Sequence, residues 1–303
     1  MPRIRSLNIL LTSEGKDYLA ELYGNVIEAV SAGAVSTQIK NVDLSGDFAS
    51  GSVEAKRIAT AKSKAYGTAR TAGKGDALKA QPVVVAKDTD KEIVEEIEQK
   101  DTIMYGVDNL LARRSSNHVL SMISELDSAF FTEAVAQGTQ FTPEAADLAD
   151  QVEESIVDLE STKDDFVDGI PRNMITVVCG PKAYSAVRQY LQKNTRHNMA
   201  TGQEDEFEEY NGCRTFKSVH LPTGIDFITL VDGSIAQPVY SSAYDAEKVP
   251  LSDAYAVELF YYYGTKAVSD NLIKYVGTTT SGTGGEGTGG TGGTGTGGTG
   301  TTS

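Results

Sequence analysis

Lys74 closes the one run in this chain whose residue types could cradle a phosphate: Gly67-Thr-Ala-Arg-Thr-Ala-Gly73-Lys74-Gly75. A working phosphate loop needs four residues between its glycines, then a lysine and a Ser or Thr to hold magnesium. Here five residues intervene and Gly75 follows the lysine. No buried strand leads in and no helix leads out, so the run reads as a flexible basic turn, and a nucleotide-dependent enzyme stays only as an alternative. His118, His197 and His220 stand apart from one another and from Cys179 and Cys213, with no HExxH or CxxC spacing. The expectation is therefore no metal and no cofactor, with both cysteines as core thiols. Glu92, Glu95 and Glu96 could be imagined as an acid and base pair, but such a pair needs unlike surroundings, and a run this dense is usually solvated or docked against cations. No GxSxG elbow occurs. No catalytic residue is predicted.

The same residues say more as charge than as chemistry. Residues 51–80 carry Lys56, Arg57, Lys62, Lys64, Arg70, Lys74 and Lys79 against Glu54 and Asp76, a net +5. Residues 88–101 reverse it, with seven acids, Glu92, Glu95, Glu96 and Glu98 among them, against Lys91 and Lys100, a net −5. This pattern suits a projecting arm that docks on a surface of opposite sign, and copies of one chain can supply both. The chain as a whole is acidic, at −15 and a pI near 4.7. That excludes wrapping nucleic acid with the whole surface, because phosphate binding works through Lys and Arg.

The elements that must position these charges can be read from periodicity. Residues 16–35 repeat apolar side chains at helical spacing, as Tyr18, Leu19, Leu22, Val26, Ile27 and Val30. Residues 53–66 and 78–87 read as the limbs of a long, mostly polar hairpin with no apolar face of its own, turning over 67–75. Residues 108–135 form one long helix striped by Leu111, Val119, Met122, Leu126, Phe130 and Ala134. A further helix is expected from Thr142-Pro143 to about Leu159, by cap-then-proline logic. Then come a buried strand at 174–179, a helix at 182–191, and strands at 216–221, 226–231 and 254–263. The aromatic run 260–263 could stack bases, but alternation in a strand divides it between core and interface. Residues 277–303 are almost wholly Gly and Thr and cannot form a core. The opening apolar run, Leu7 to Leu11, is interrupted by Asn8, too short to span a membrane, and lacks a cleavage site; it reads as a cytosolic start without export.

Three stretches carry a family likeness: residues 64–76 (KAYGTARTAGKGD), residues 88–96 (DTDKEIVEE), and Ser252-Asp253-Ala254-Tyr255 with Tyr263-Gly264-Thr265. Together with the order of parts over about 42–276, they resemble the major capsid proteins of tailed bacteriophages, the Hong Kong 97 type of fold. The likeness is to those from phages and prophages of Gram-positive bacteria. The resemblance implies an α+β chain with an N-terminal arm and helix (1–50), an extended β-hairpin loop (51–87) lying over the adjacent subunit, and a peripheral domain with the spine helix (88–140, completed by about 251–276). An axial α/β domain (141–250) and a flexible Gly/Thr tail (277–303) would follow.

The function it implies is structural: a subunit that self-assembles into hexamers and pentamers of an icosahedral head around double-stranded DNA, made in the host bacterial cytoplasm and ending in the virion. Its partners would be copies of itself, a separate scaffolding protein, a portal and a decoration protein, with no membrane and no sequence-specific DNA binding. An encapsulin-like compartment of the same fold is the alternative. Lys56, Arg57, Lys62, Lys64, Arg70, Lys74 and Lys79 on the arm, and Glu92, Glu95, Glu96 and Glu98 on the acidic segment, are the candidate inter-subunit contacts. Some relatives join a loop lysine to a neighbour's asparagine. Neither Asn271 nor any loop lysine aligns with that constellation, so no cross-link is assigned.

Overall fold

A computed structural model describes residues 6–59, 61, 63–75, 77, 80–194 and 209–278. Lys62, Lys79, His197 and nearly all of the Gly/Thr tail lie outside the described residues. Thr12 opens the first helix, α1 (Ser13–Gly33), its hydroxyl oxygen accepting the Gly15 N–H at 3.4 Å. Leu19, Val26 and Val30 form its buried stripe. Helix α2 (Val35–Ile39) follows at once. Its first N–H groups are held by the buried Asp127, whose carboxylate accepts from Ser36 at 2.9 Å and Val35 at 3.3 Å.

Strands β1 (Leu44–Ser45) and β2 (Ser52–Ile58), a short helix α3 (Thr68–Ala72), and strand β3 (Ala80–Ala86) build the hairpin. The three strands form an antiparallel sheet in the order β1-β2-β3, with Ser52 opposite Ala86 and Ile58 opposite Ala80. The expectation that this hairpin has no apolar face is corrected. Alternation places Val53, Ala55 and Val85 on one side, where they are buried with Ala236 and Val268 of the same chain. The root is therefore part of the subunit's own core.

Strand β4 (Thr89–Ile97) leads into α4 (Gln99–Tyr105), and Gly106, at φ 73°, lets the chain turn into α5 (Val107–Gln137). This is the expected spine, 31 residues long, spanning about 46 Å at 1.5 Å per residue. Its first two-thirds bury Leu111, Met122 and Leu126 against α1 and the strands beside β4; its last third buries Phe130, Phe131 and Ala134 elsewhere. After β5 (Thr139–Gln140) comes α6 (Leu148–Glu160). It does not start at Thr142-Pro143 as expected. The Glu154 carboxylate reaches back from inside the helix and accepts the N–H groups of Glu144 (2.8 Å) and Ala145 (3.1 Å), so the preceding segment is satisfied without being helical.

The rest of the chain is β6 (Ile175–Cys179), α7 (Pro181–Asn194), β7 (Glu209–Tyr210), β8 (Cys213–Lys217), β9 (Ile225–Val231), β10 (Ile235–Ala236), β11 (Val239–Ser241), β12 (Asp245–Lys248), β13 (Tyr255–Tyr263), β14 (Lys266–Ala267) and β15 (Ile273–Gly277). Six strands form a sheet in the order β5-β15-β9-β6-β8-β7. It is covered on both faces: Ile175, Val177 and Cys179 pack with α6 and α7, while Val178, Ile228 and Ile273 pack with Phe130 and Phe131 of α5. A second sheet joins β11, β13 and β12, with β4 pairing β13 along nine registered positions from Tyr255↔Ile97 to Tyr263↔Thr89. The final strand thus sits in the six-stranded sheet, away from β4, although it follows β13 closely in sequence. The spine helix joins the two halves by serving both cores.

Candidate inter-subunit surfaces

The hairpin tip is built by two glycines in the left-handed region, Gly67 (φ 89°) and Gly73 (φ 70°), which bound α3. Lys64, Arg70 and Lys74 are all exposed there, and Arg70 lies over the ring of Tyr66 at 5.8 Å. Tyr66 itself is 94% exposed, so the tip offers cations around an open aromatic ring. The sequence Gly67–Gly75 thus forms a solvent-facing turn around a five-residue helix, not a strand-to-helix loop. Lys56 faces outward lower on β2, 3.4 Å from Glu54.

Arg57 behaves differently from its neighbours. Its guanidinium donates to Asp164, lies over the Phe166 ring at 4.7 Å and is only 12% exposed. Asp164 sits between α6 and β6, 107 positions from Arg57. Its other oxygen accepts the N–H groups of Phe166 and Val167, both at 2.7 Å, and Asn271 donates its amide at 2.6 Å. Burial pushes the Asp164 carboxyl up, but the hydrogen bonds from Asn271, the two amides and Arg57 outweigh it and bring its pKa to about 2.

The acidic strand divides by parity. Odd positions turn inward: Lys91 pairs with Glu125 on the spine at 2.9 Å, and Glu95 meets both Arg114 and His118. Arg114 Nε donates to Glu95 at 2.6 Å, with a second bond from its terminal nitrogen. His118 Nε2 stands 3.2 Å from Glu95, and its Nδ1 2.6 Å from the hydroxyl of Tyr244. Burial raises the Glu95 carboxyl, yet the Arg114 hydrogen bonds and the His118 charge leave it below the ordinary range. This cluster closes a cavity beneath α1, lined also by Leu19, Leu22, Leu111 and Val257.

Even positions face out. Glu92 and Glu96 are exposed, opposite Phe260 and Ala256 of β13. Register adds three acids to the same face that distance in sequence concealed: Glu258 opposite Val94, then Asp245 opposite Glu258 and Glu247 opposite Ala256. Strand parity in β12 and β13 was the available signal, but only the pairing shows that the three strands adjoin. Aromatic rings lie among these acids, with Tyr240 and Tyr262 stacked at 6.2 Å and Lys87 over Tyr262 at 4.6 Å. Tyr261 and Tyr263 turn inward, stacked at 6.4 Å. Glu98, at the strand's end, pairs locally with Lys100.

Of the sequence-predicted contacts, Lys64, Arg70 and Lys74 thus share the tip, Glu92 and Glu96 share the outer sheet face, and Arg57 and Glu95 are bound within the chain. Lys62 and Lys79 lie outside the described residues. Among the described residues no group of three or more His, Cys, Asp or Glu side chains converges as a metal site. Burial raises the Cys179 thiol to about 12 and the Cys213 thiol to about 11, far from a reactive thiolate at neutral pH.

The layout is shared with solved shells. The head structure of Helicobacter pylori bacteriophage KHP40 is similar with a TM-score of 0.59 and 9% identity, over 81% of this chain and 90% of that one. The chain from Mycobacterium phage Che8 gives a TM-score of 0.57 and 16% identity, over 78% of this chain and 93% of that one. The chain has the Hong Kong 97 type of fold. A virus-like particle from Pyrococcus furiosus has the same fold, with a TM-score of 0.54 and 10% identity, over 86% of this chain and 99% of that one. No protein-family model and no curated protein sequence matches.

Proposed function

We propose that this chain is the structural subunit of an icosahedral phage head, assembling as hexamers and pentamers around double-stranded DNA and acting by self-association without catalysis. One observation carries the reading: in a fold shared with phage heads, a single chain bears both a projecting basic tip and an acidic sheet face of matching chemistry. Lys64, Arg70 and Lys74, with Lys62 and Lys79, dock on Glu92, Glu96 and Glu258 of the next copy. Exposed pairs of this kind contribute only about 0–1 kcal/mol each, so the contact sets register more than it supplies affinity. In this reading residues 51–87 are the extended loop, 88–140 with β13 the peripheral domain, and 141–250 with β15 the axial domain around the shell's symmetry axes. A scaffolding protein, a portal and a decoration protein are the further partners, and the virion is the location. No helix among the described residues is long and apolar enough to cross a membrane.

The test is charge reversal. Changing Lys64, Arg70 and Lys74 to Glu abolishes particles, seen by sedimentation and negative-stain microscopy, while the far-UV spectrum is unchanged. Changing Glu92, Glu96 and Glu258 to Lys in the same chain restores them. Normal particles from the first variant would remove the docking reading. The alternative, an encapsulin-like compartment of the same fold, is less favoured, since similar solved structures include phage heads. Nuclease-protected DNA inside purified particles separates the two.

A further inference from the structure

We propose that Arg57 is the second anchor of the hairpin, a latch that holds the arm at one angle to the body of its own subunit. The hairpin has a first anchor, the small apolar patch of Val53, Ala55 and Val85 on Ala236 and Val268. An arm pinned at one place is a hinge. Arg57 lies two residues beyond Ala55 and four beyond Val53, about 7–13 Å at ~3.3 Å per residue, and pins the same strand again. Two anchors that far apart make a lever of fixed direction.

The second anchor is built from three remote parts of the chain. Asp164 belongs to the turn after α6 and accepts from Arg57, and Asn271, just before β15, donates to the same Asp164 oxygen. Each Asp164 oxygen is used twice, Oδ1 by the amides of Phe166 and Val167 and Oδ2 by Asn271 and Arg57. The turn is thus preorganised before Arg57 arrives, and Phe166 supplies the plane on which the guanidinium stacks. A lysine could keep the charge but neither the planar stack nor the same fork of donors. Lys56, one residue earlier, faces the other way and lies 3.4 Å from Glu54. Of the two adjacent cations, one steers the arm from within and the other stays at its surface.

The latch lies within one subunit, so its test does not depend on the capsid reading. Spin labels go on the full chain at Tyr66→Cys on the hairpin tip and Ser185→Cys on α7, diluted into unlabelled chain; Cys179 and Cys213 are buried and stay unlabelled. The parent is expected to give one narrow tip-to-body distance. Arg57→Gln is expected to lose that narrow peak to a broad distribution, while Lys56→Gln keeps it. A narrow peak that survives Arg57→Gln, or a parent already broad, would overturn the latch. Arg57→Lys carries the same test if the glutamine variant does not fold, with partial broadening expected and an unchanged peak contradicting the stacked geometry. Absence of shells would sink the assembly reading and leave this result standing.

Discussion

Glu95 and Glu96 are adjacent in sequence and do unrelated work. Glu95 is turned inward and shared between Arg114 and His118, whereas Glu96 meets water. Glu95→Gln is expected to loosen the Arg114 fork and leave the buried His118 without its carboxylate, lowering subunit stability by about 1–3 kcal/mol, while Glu96→Gln stays within about 0.5 kcal/mol; urea titration distinguishes them. Asp164 makes a second residue-scale prediction. Its folded pKa of about 2 lies below the ordinary 3.8, so its contribution to stability is fully present above about pH 4 and is lost as pH falls through 2. The stability gap between the parent and Asp164→Asn should be constant from neutral pH down to that window and close within it. A gap that closed near pH 6 would mean another group governs the latch.

At the scale of elements, the spine helix and the charge reversal between hairpin and β4 were legible in the sequence, because both are local: a stripe every three to four residues and a run of like charge. What was not legible depended on partners far along the chain. The inward turn of Glu95 needs the register of β4 on β13, and the capture of Arg57 needs a turn 107 positions away. The apolar face of the hairpin was missed because it consists of only Val53, Ala55 and Val85, too few to stand out among the charges. The missed start of α6 has the same origin, since Glu154 satisfies amides ten and nine residues before it. Close backbone approach at the hairpin root supplies a test of that packing. A Cβ on Gly264 would stand 1.9 Å from the Ala86 carbonyl oxygen. Gly264→Ala is therefore expected to displace β3 and to cost about 1–3 kcal/mol in thermal unfolding, with faster hydrogen exchange in residues 80–86 than in β6. Equal stability would show that the root tolerates separation.

For the whole molecule, the net −15 charge is distributed with purpose. In the proposed assembly, a local excess of cations at the tip and of acids on the sheet would let identical copies attract one another along one path while their remaining surfaces repel. Assembly should therefore weaken as salt rises from about 0.05 to 0.5 M, as the Debye length shrinks well below the reach of the tip. Assembly driven mainly by apolar burial would instead strengthen. The most direct measurement is sedimentation of the purified intact chain at low salt, with negative-stain microscopy of every boundary. Closed shells, or rings of five and six subunits, are the predicted result; a monomer that stays monomeric at every salt and protein concentration would contradict the account.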